Sequence, residues 1–139
     1  MKASKYIFLL TIALLFACDK KKATIKTMDG QWMINKLYLL NSDGFKTIVE
    51  PNGTITFHTD GEKGPNGTYT MDFNYITPAA DTVYVQLSGT FTQTSNTDFE
   101  FTREGAGNYR TIVPYFAKKD LEFQIPNLDY TSYNFFLKK

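Results

Sequence analysis

The chain has 139 residues, with one cysteine, one histidine, 15 Lys and Arg against 14 Asp and Glu, and 16% aromatic residues that include nine Tyr and 12 Phe. That length suits one domain with one core. The near-neutral balance lacks the basic excess of a nucleic-acid binder, and the lone cysteine excludes an intramolecular disulfide.

The first 22 residues read as an export signal. Lys2 and Lys5 precede an apolar run from Tyr6 to Ala17, and Cys18 follows. A basic start, a short apolar core and a small residue before the cut are the parts of a secretory leader. The run is shorter than the roughly 20 residues of a spanning helix. Leu15-Phe16-Ala17-Cys18 resembles a lipobox, which implies cleavage before Cys18 and diacylglycerol on its sulfur. The alternative is an ordinary signal peptide with an incidental cysteine; the only cysteine standing at the expected cut favours the lipid. Buried acyl methylenes contribute about 0.8 kcal/mol each, so the membrane is expected as an anchor. Lys20, Lys21 and Lys22 either add attraction to anionic headgroups, about 1 kcal/mol per charge at the surface, or belong to a solvated tether. Their basic character favours the periplasm-facing side of an outer membrane over the cell surface.

Ala23 to Asp29 is a short lead. In the strand that follows, Trp32, Ile34, Tyr38 and Leu40 share one parity, interrupted by Lys36, while Met33, Leu37 and Leu39 share the other. Apolar residues on both parities predict a strand covered on both faces at its end. Asn41-Ser42-Asp43-Gly44 is a turn, Phe45 to Glu50 a short strand, and Pro51-Asn52-Gly53 a predicted reversal into Thr54 to His58. The same letters recur at Pro65-Asn66-Gly67-Thr68. Thr68 to Ile76 alternates cleanly, with Tyr69, Met71, Phe73 and Tyr75 against Thr68, Thr70, Asp72 and Asn74, so one face is buried. After the loop Thr77 to Asp81, the stretch Thr82 to Gln93 repeats the pattern, and Gly89 within it suggests a bulge or bend.

Thr94-Ser95-Asn96 turns the chain into Phe99 and Phe101, and Gly105-Ala106-Gly107 turns it again into Tyr109 to Ala117. Pro114 there argues for an edge or a bulge. Leu121, Phe123 and Ile125 alternate up to Pro126, which is expected to stop that strand, and Tyr133, Phe135 and Leu137 form the last one. Short links between eight or nine such strands predict an all-β antiparallel domain. Its edges must be hidden, by closing into an up-and-down barrel or by stacking two sheets; the barrel is preferred.

Gly30-Gln31-Trp32 opening the first strand, with Gly53-x-Ile55-x-Phe57, Asp60-Gly61 and Gly67-x-Tyr69 beyond it, resembles the lipocalin-like domains of bacterial envelope lipoproteins. The likeness runs from about Met28 to Leu137. It implies that Gly30 lets the chain enter the barrel and that Trp32 plugs its closed end. The arginine that stacks on this tryptophan in many lipocalins has no counterpart, since the last strand ends in Lys138 and Lys139. The division that results is a signal peptide over residues 1–17, a lipidated N-terminus and tether over 18–28, and a lipocalin-like barrel over 29–139.

Catalytic and metal chemistry find no pattern. His58 lacks companions for a zinc site, no Gly-x-Ser-x-Gly elbow is present, and Asp60 to Gly64 lacks the spacing of a calcium loop. Asp98 and Glu100 alternate with buried Phe and are expected on an outer face. No cofactor is implied and no enzyme is expected. The resemblance instead points to the barrel interior, where Tyr69, Phe73, Val85, Leu87, Phe99, Phe101, Leu121 and Phe123 are the candidate lining for a small hydrophobic or amphipathic ligand. The same side chains could equally fill the barrel. The second functional class is an envelope interaction subunit, which docks on a partner protein through outward aromatics such as Tyr84 and Phe116.

Overall fold

The alternation that is cleanest in the sequence becomes the most regular part of the fold. A computed structural model describes residues 25–60, 66–105, 108–128 and 131–139. Among these, a helical turn at 25–28 precedes nine strands: β1 (Gly30–Leu40), β2 (Lys46–Val49), β3 (Pro51–Thr59), β4 (Asn66–Ile76), β5 (Thr82–Gln93), β6 (Asp98–Arg103), β7 (Asn108–Phe116), β8 (Asp120–Leu128) and β9 (Thr131–Lys138). Every neighbour is antiparallel, and β1 pairs β9, which closes the sheet into a barrel. The leader, Cys18 and the rest of 1–24 lie outside the described residues, as do 61–65 of the Asp60 loop.

Nine strands make eight staves because β2 and β3 lie end to end along one edge of β1. Leu37 to Leu40 face Val49 to Lys46, and Gly30 to Met33 face Phe57 to Thr54. Pro51-Asn52-Gly53 therefore does not reverse the chain, contrary to the sequence expectation. Proline is tolerated at the first position of a strand, and the positive φ of Gly53, 145°, serves a bend within a continuous stave.

Two bulges decide which side chains face inward. In β1 the pairing with β9 slips between Ile34 and Lys36, so Asn35 and Lys36 are both exposed, and inward residues change from Trp32 and Ile34 to Leu37 and Leu39. An extra residue inverts the parity of everything after it. The strand is thus covered on one face only, and the mixed apolar pattern came from the slip. In β7 the register shifts between Ile112 and Tyr115. This leaves Tyr115 exposed and packs Phe116 against the core, which corrects the expectation that Phe116 points outward. Pro126 does not end β8; the strand continues to Leu128 across another shift.

At Gly89 the registers of β4 and β5 run unbroken, so the residue marks a bend and not a bulge. Its cross-strand partners are Tyr69 and Arg103. A Cβ there would come within 3.0 Å of the Tyr69 ring edge and 1.8 Å of the Thr102 carbonyl oxygen. The Phe91 ring lies in the same way over Gly67, 2.6 Å from where a Cβ would sit. A ring occupying the space of a missing side chain is how a curved wall and a crowded interior coexist.

The barrel is closed at the end where β1 starts and β9 finishes. Ile25, Met28 and Trp32 are all buried there, and Trp32 Nε1 donates to the Met28 carbonyl at 2.7 Å. The stretch expected to be tether is, over 25–28, part of the core. Gly30 turns the chain from this plug into β1 with φ of 105°, a conformation that side chains rarely adopt. Lys139 holds the plug from the other terminus of the barrel. Its Nζ donates to the carbonyls of Thr27, at 2.9 Å, and Asp29, and lies 4.7 Å from the centre of the Trp32 ring. An ammonium thus caps orphan carbonyls at the end of the helical turn, and a lysine occupies the place for which an arginine was sought.

Candidate ligand-binding site

The eight lining residues named from the sequence all point inward but do not form one pocket. Tyr69, Phe73, Phe99, Phe101, Leu121 and Phe123 are fully buried. Their rings touch: Phe101 lies 4.9 Å from Tyr69, 5.1 Å from Phe123 and 5.4 Å from Phe91, centre to centre. Edge-to-face and offset pairs at such distances are close-packed. These six form a filled section of the barrel. Val85 and Leu87 differ, being half-buried together with Val83.

The reason is strand length. β5 pairs with β6 only over Gly89 to Gln93, whereas it pairs with β4 from Thr82 to Thr92. The β4–β5 hairpin therefore stands proud of the β6–β7 turn at the end far from the plug, and Val83, Val85 and Leu87 line its inner side. Beside that turn, Tyr109 stacks on Phe101, 6.0 Å apart and 17° from parallel, and its hydroxyl meets the Tyr69 hydroxyl at 2.6 Å. Arg103 follows Phe99 and Phe101 on the inward parity of β6.

Burial pushes the Tyr69 phenol above the usual tyrosine range, with the Tyr109 hydrogen bond and the Arg103 charge opposing it. Burial likewise raises Tyr109, and its bond to Tyr69 adds to the shift. Both hydroxyls therefore keep their protons at neutral pH. One proton lies between the two oxygens, and the second hydroxyl has its own O–H left to offer. The far end thus presents an apolar inner wall, one O–H donor and the field of a guanidinium.

A groove of about 290 Å³ opens nearby, lined by Tyr38, Lys46, Ile112 and Gln124 from the outer wall and by Ile125 and Tyr133 from the interior. Among the described residues the β7–β8 ladder runs from Phe116–Leu121 to Ile112–Gln124. The groove begins where that ladder stops.

The acidic residues of β6 and of the turn after it have partners outside the barrel. Asp98 binds Arg110 at 2.8 Å; hydrogen bonds from Ser95 and Arg110 hold its carboxyl below the usual range. Glu100 accepts from Asn108 at 3.0 Å, and Glu104 from Ser88 at 2.8 Å. His58 is exposed. Among the described residues, no three His, Cys, Asp or Glu side chains come together as metal ligands.

Tyr109, Arg103 and Val83 escaped the sequence reading of the site. Val83 and Arg103 fall on the inward parities of strands that were read correctly, so the signal was available. Nothing local announces that Tyr109 meets Tyr69.

No protein-family model matches the chain, and no curated protein aligns with it. Solved structures do. A redesigned beta barrel matches with a TM-score of 0.51 at 12% identity, covering 84% of this chain and 94% of its own. A second redesigned beta barrel, mFAP1, bound to DFHBI, matches with a TM-score of 0.57 at 12% identity, covering 84% and 98%. The likeness is one of fold. The chain is an all-β closed barrel, as its alternation predicted.

Proposed function

We propose that this chain is a lipid-anchored envelope protein that holds a small hydrophobic or amphipathic molecule at the far end of its barrel. The observation that carries the reading is the asymmetry of the interior: ring-filled and plugged towards Trp32, half-buried and apolar along Val83, Val85 and Leu87. mFAP1, described as bound to DFHBI, supports a guest in a barrel of this kind. The protein acts by binding and not by catalysis. Cys18 carries the lipid, the membrane is the outer one, and the barrel faces the periplasm. The lipocalin-like character suggested by Gly30 and Trp32 belongs to the same reading; the Trp32 plug and the cation over it support it.

The full chain should raise the fluorescence of 1-N-phenylnaphthylamine saturably, and Val85→Glu with Leu87→Glu should abolish the rise. A rise that never saturates, or that ignores both substitutions, would overturn the reading. Cys18→Ser should lose palmitate labelling and move to the soluble fraction; unchanged partitioning would remove the anchor.

A second reading rests on the outer wall. Met33, Ile48, Tyr84 and Tyr115, on four different strands, are each more than half exposed, at 68%, 67%, 77% and 56%, and large exposed apolar side chains are candidates for a protein contact. This wall would dock a partner envelope protein. Crosslinking from position 48 or 115 in intact envelopes should then trap one discrete species; a failure to do so counts against it.

A further inference from the structure

Where a strand of the wall outruns its neighbour, its backbone donors and acceptors lie open to another chain, and natural sheets guard such edges by shortness, charge or proline. Among the described residues, β2 pairs on one side only, and it is four residues long and starts at Lys46. β7 carries Arg110 where it runs past its last partner on β8, and β8 carries Pro126 beyond Gln124. The overhang of β5 has no such guard. Thr82 to Leu87 pair with β4, while no described residue stands opposite them on the β6 side. The stretch Thr82-Val83-Tyr84-Val85-Gln86-Leu87 holds no charge, proline or glycine, the composition of segments that pair readily with another strand.

The open backbone groups can be assigned. The Ser88 carbonyl accepts from the Glu104 N–H at 2.9 Å, so the backbone of Ser88 is directed to the β6 side. The β4–β5 ladder is unbroken from Thr82 to Thr92, and in an antiparallel ladder the backbone groups of alternate residues point the same way. The N–H and C=O of Thr82, Tyr84 and Gln86 are therefore directed to the open edge. Val83, Val85 and Leu87 are half-buried on the inner face, and Tyr84 and Gln86 are exposed on the outer one.

We infer that this edge pairs with the same edge of a second copy, antiparallel about a two-fold axis normal to the sheet at Val85. In that register Val85 stands opposite Val85 of the second copy and Val83 opposite its Leu87, apolar on apolar along the inner face. Tyr84 stands opposite Gln86 as a hydrogen-bonded pair, once on each side of the axis. A two-fold contact requires a surface that is its own complement, and this edge is so in face, charge and bonding. Moving the axis to Tyr84 would set Asp81 opposite Leu87; moving it to Gln86 would set Tyr84 opposite Ser88, whose carbonyl Glu104 already occupies. The added strand lies end to end with β6 along β5, as β2 and β3 do along β1. It continues the apolar wall of Val83, Val85 and Leu87, but the pairing itself requires no guest.

The test is disulfide trapping in the full chain carrying Cys18→Ser, which leaves an introduced thiol as the only one. Directly opposed residues of a non-hydrogen-bonded pair have Cα atoms about 4.5 Å apart, within disulfide reach. Val85→Cys should oxidise to a covalent dimer at least tenfold faster than Val83→Cys, whose two copies would lie about 13 Å apart along the strands. Mixing Val83→Cys with Leu87→Cys should restore the fast rate. Adding Tyr84→Lys with Gln86→Lys places like charges opposite each other on an exposed face and should slow Val85→Cys trapping at least tenfold, with Trp32 emission reporting that the barrel is folded. Trapping of Val85→Cys no faster than that of Val83→Cys, or trapping that ignores the double substitution, would overturn the inference.

Discussion

Truncating Phe101 measures how full the plugged section is. The side chain is fully buried, and six rings surround it at centroid distances between 4.9 and 6.5 Å: Phe57, Tyr69, Phe91, Phe99, Tyr109 and Phe123. Phe101→Ala removes the transfer free energy of the ring and leaves a cavity, together about 3–5 kcal/mol. The wall is a closed ladder of backbone hydrogen bonds and collapses poorly into the hole, which places the loss near the top of that range, about 4–5 kcal/mol. Against a total of about 5–15 kcal/mol for a domain, that is roughly a quarter of the stability or more. Urea unfolding followed by Trp32 fluorescence should show a lower midpoint with an unchanged slope. Phe101→Leu keeps most of the volume and should lose on the order of 1–2 kcal/mol. A loss below about 2 kcal/mol for the alanine variant would mean that these rings are loosely set and that the section called filled is hollow.

Lys139→Met keeps the stem but removes the ammonium that bonds Thr27 and Asp29 and covers Trp32. It should cost about 1 kcal/mol and speed hydrogen exchange at 25–28 before the strands. Thr111 is fully buried, and its hydroxyl has no hydrogen-bond partner among the described residues. An unsatisfied buried hydroxyl costs about 1–3 kcal/mol, so Thr111→Val should stabilise by roughly 1 kcal/mol in thermal unfolding. A destabilised valine variant would show that the hydroxyl is bonded to something, water included. The Asp98 carboxyl is held below its ordinary value of 3.8 by Ser95 and Arg110. A depressed acid supports the fold above its unfolded pKa and loses that support as pH falls through the folded one. Asp98→Asn should therefore melt below the parent chain at neutral pH, and the gap should close as pH drops below about 4.

The strand-rich closed fold was legible because Tyr69 to Tyr75 and Leu121 to Ile125 alternate without interruption, and a period of two survives any arrangement of the strands around them. What escaped notice came from single extra residues and from long-range meetings. The slip at Asn35 makes β1 look two-faced in the sequence, because Leu37 and Leu39 are inward only after it. Tyr115 and Phe116 exchange faces for the same reason. Pro51-Asn52-Gly53 has the chemistry of a reversal, yet a bend in a continuous stave needs the same positive φ. The closed end was legible from Gly30 and Trp32, while its latch was not. Lys139 and Thr27 are 112 residues apart, and only closure of β1 on β9 brings them together. Of the candidate lining, parity identified inward residues correctly but could not separate the filled section from the half-buried one. That separation depends on β6 being six residues and β5 twelve.

The most direct measurement is a ¹H–¹⁵N NMR titration of the full chain with 11-(dansylamino)undecanoic acid, read residue by residue. Saturable shifts at Val83, Val85, Leu87 and Tyr109, with Ile25, Met28 and Trp32 unmoved, are the expected result. Shifts confined to the outer wall around Ile48 and Tyr115, or none at the β4–β5 hairpin, would contradict a guest held at the far end of the barrel.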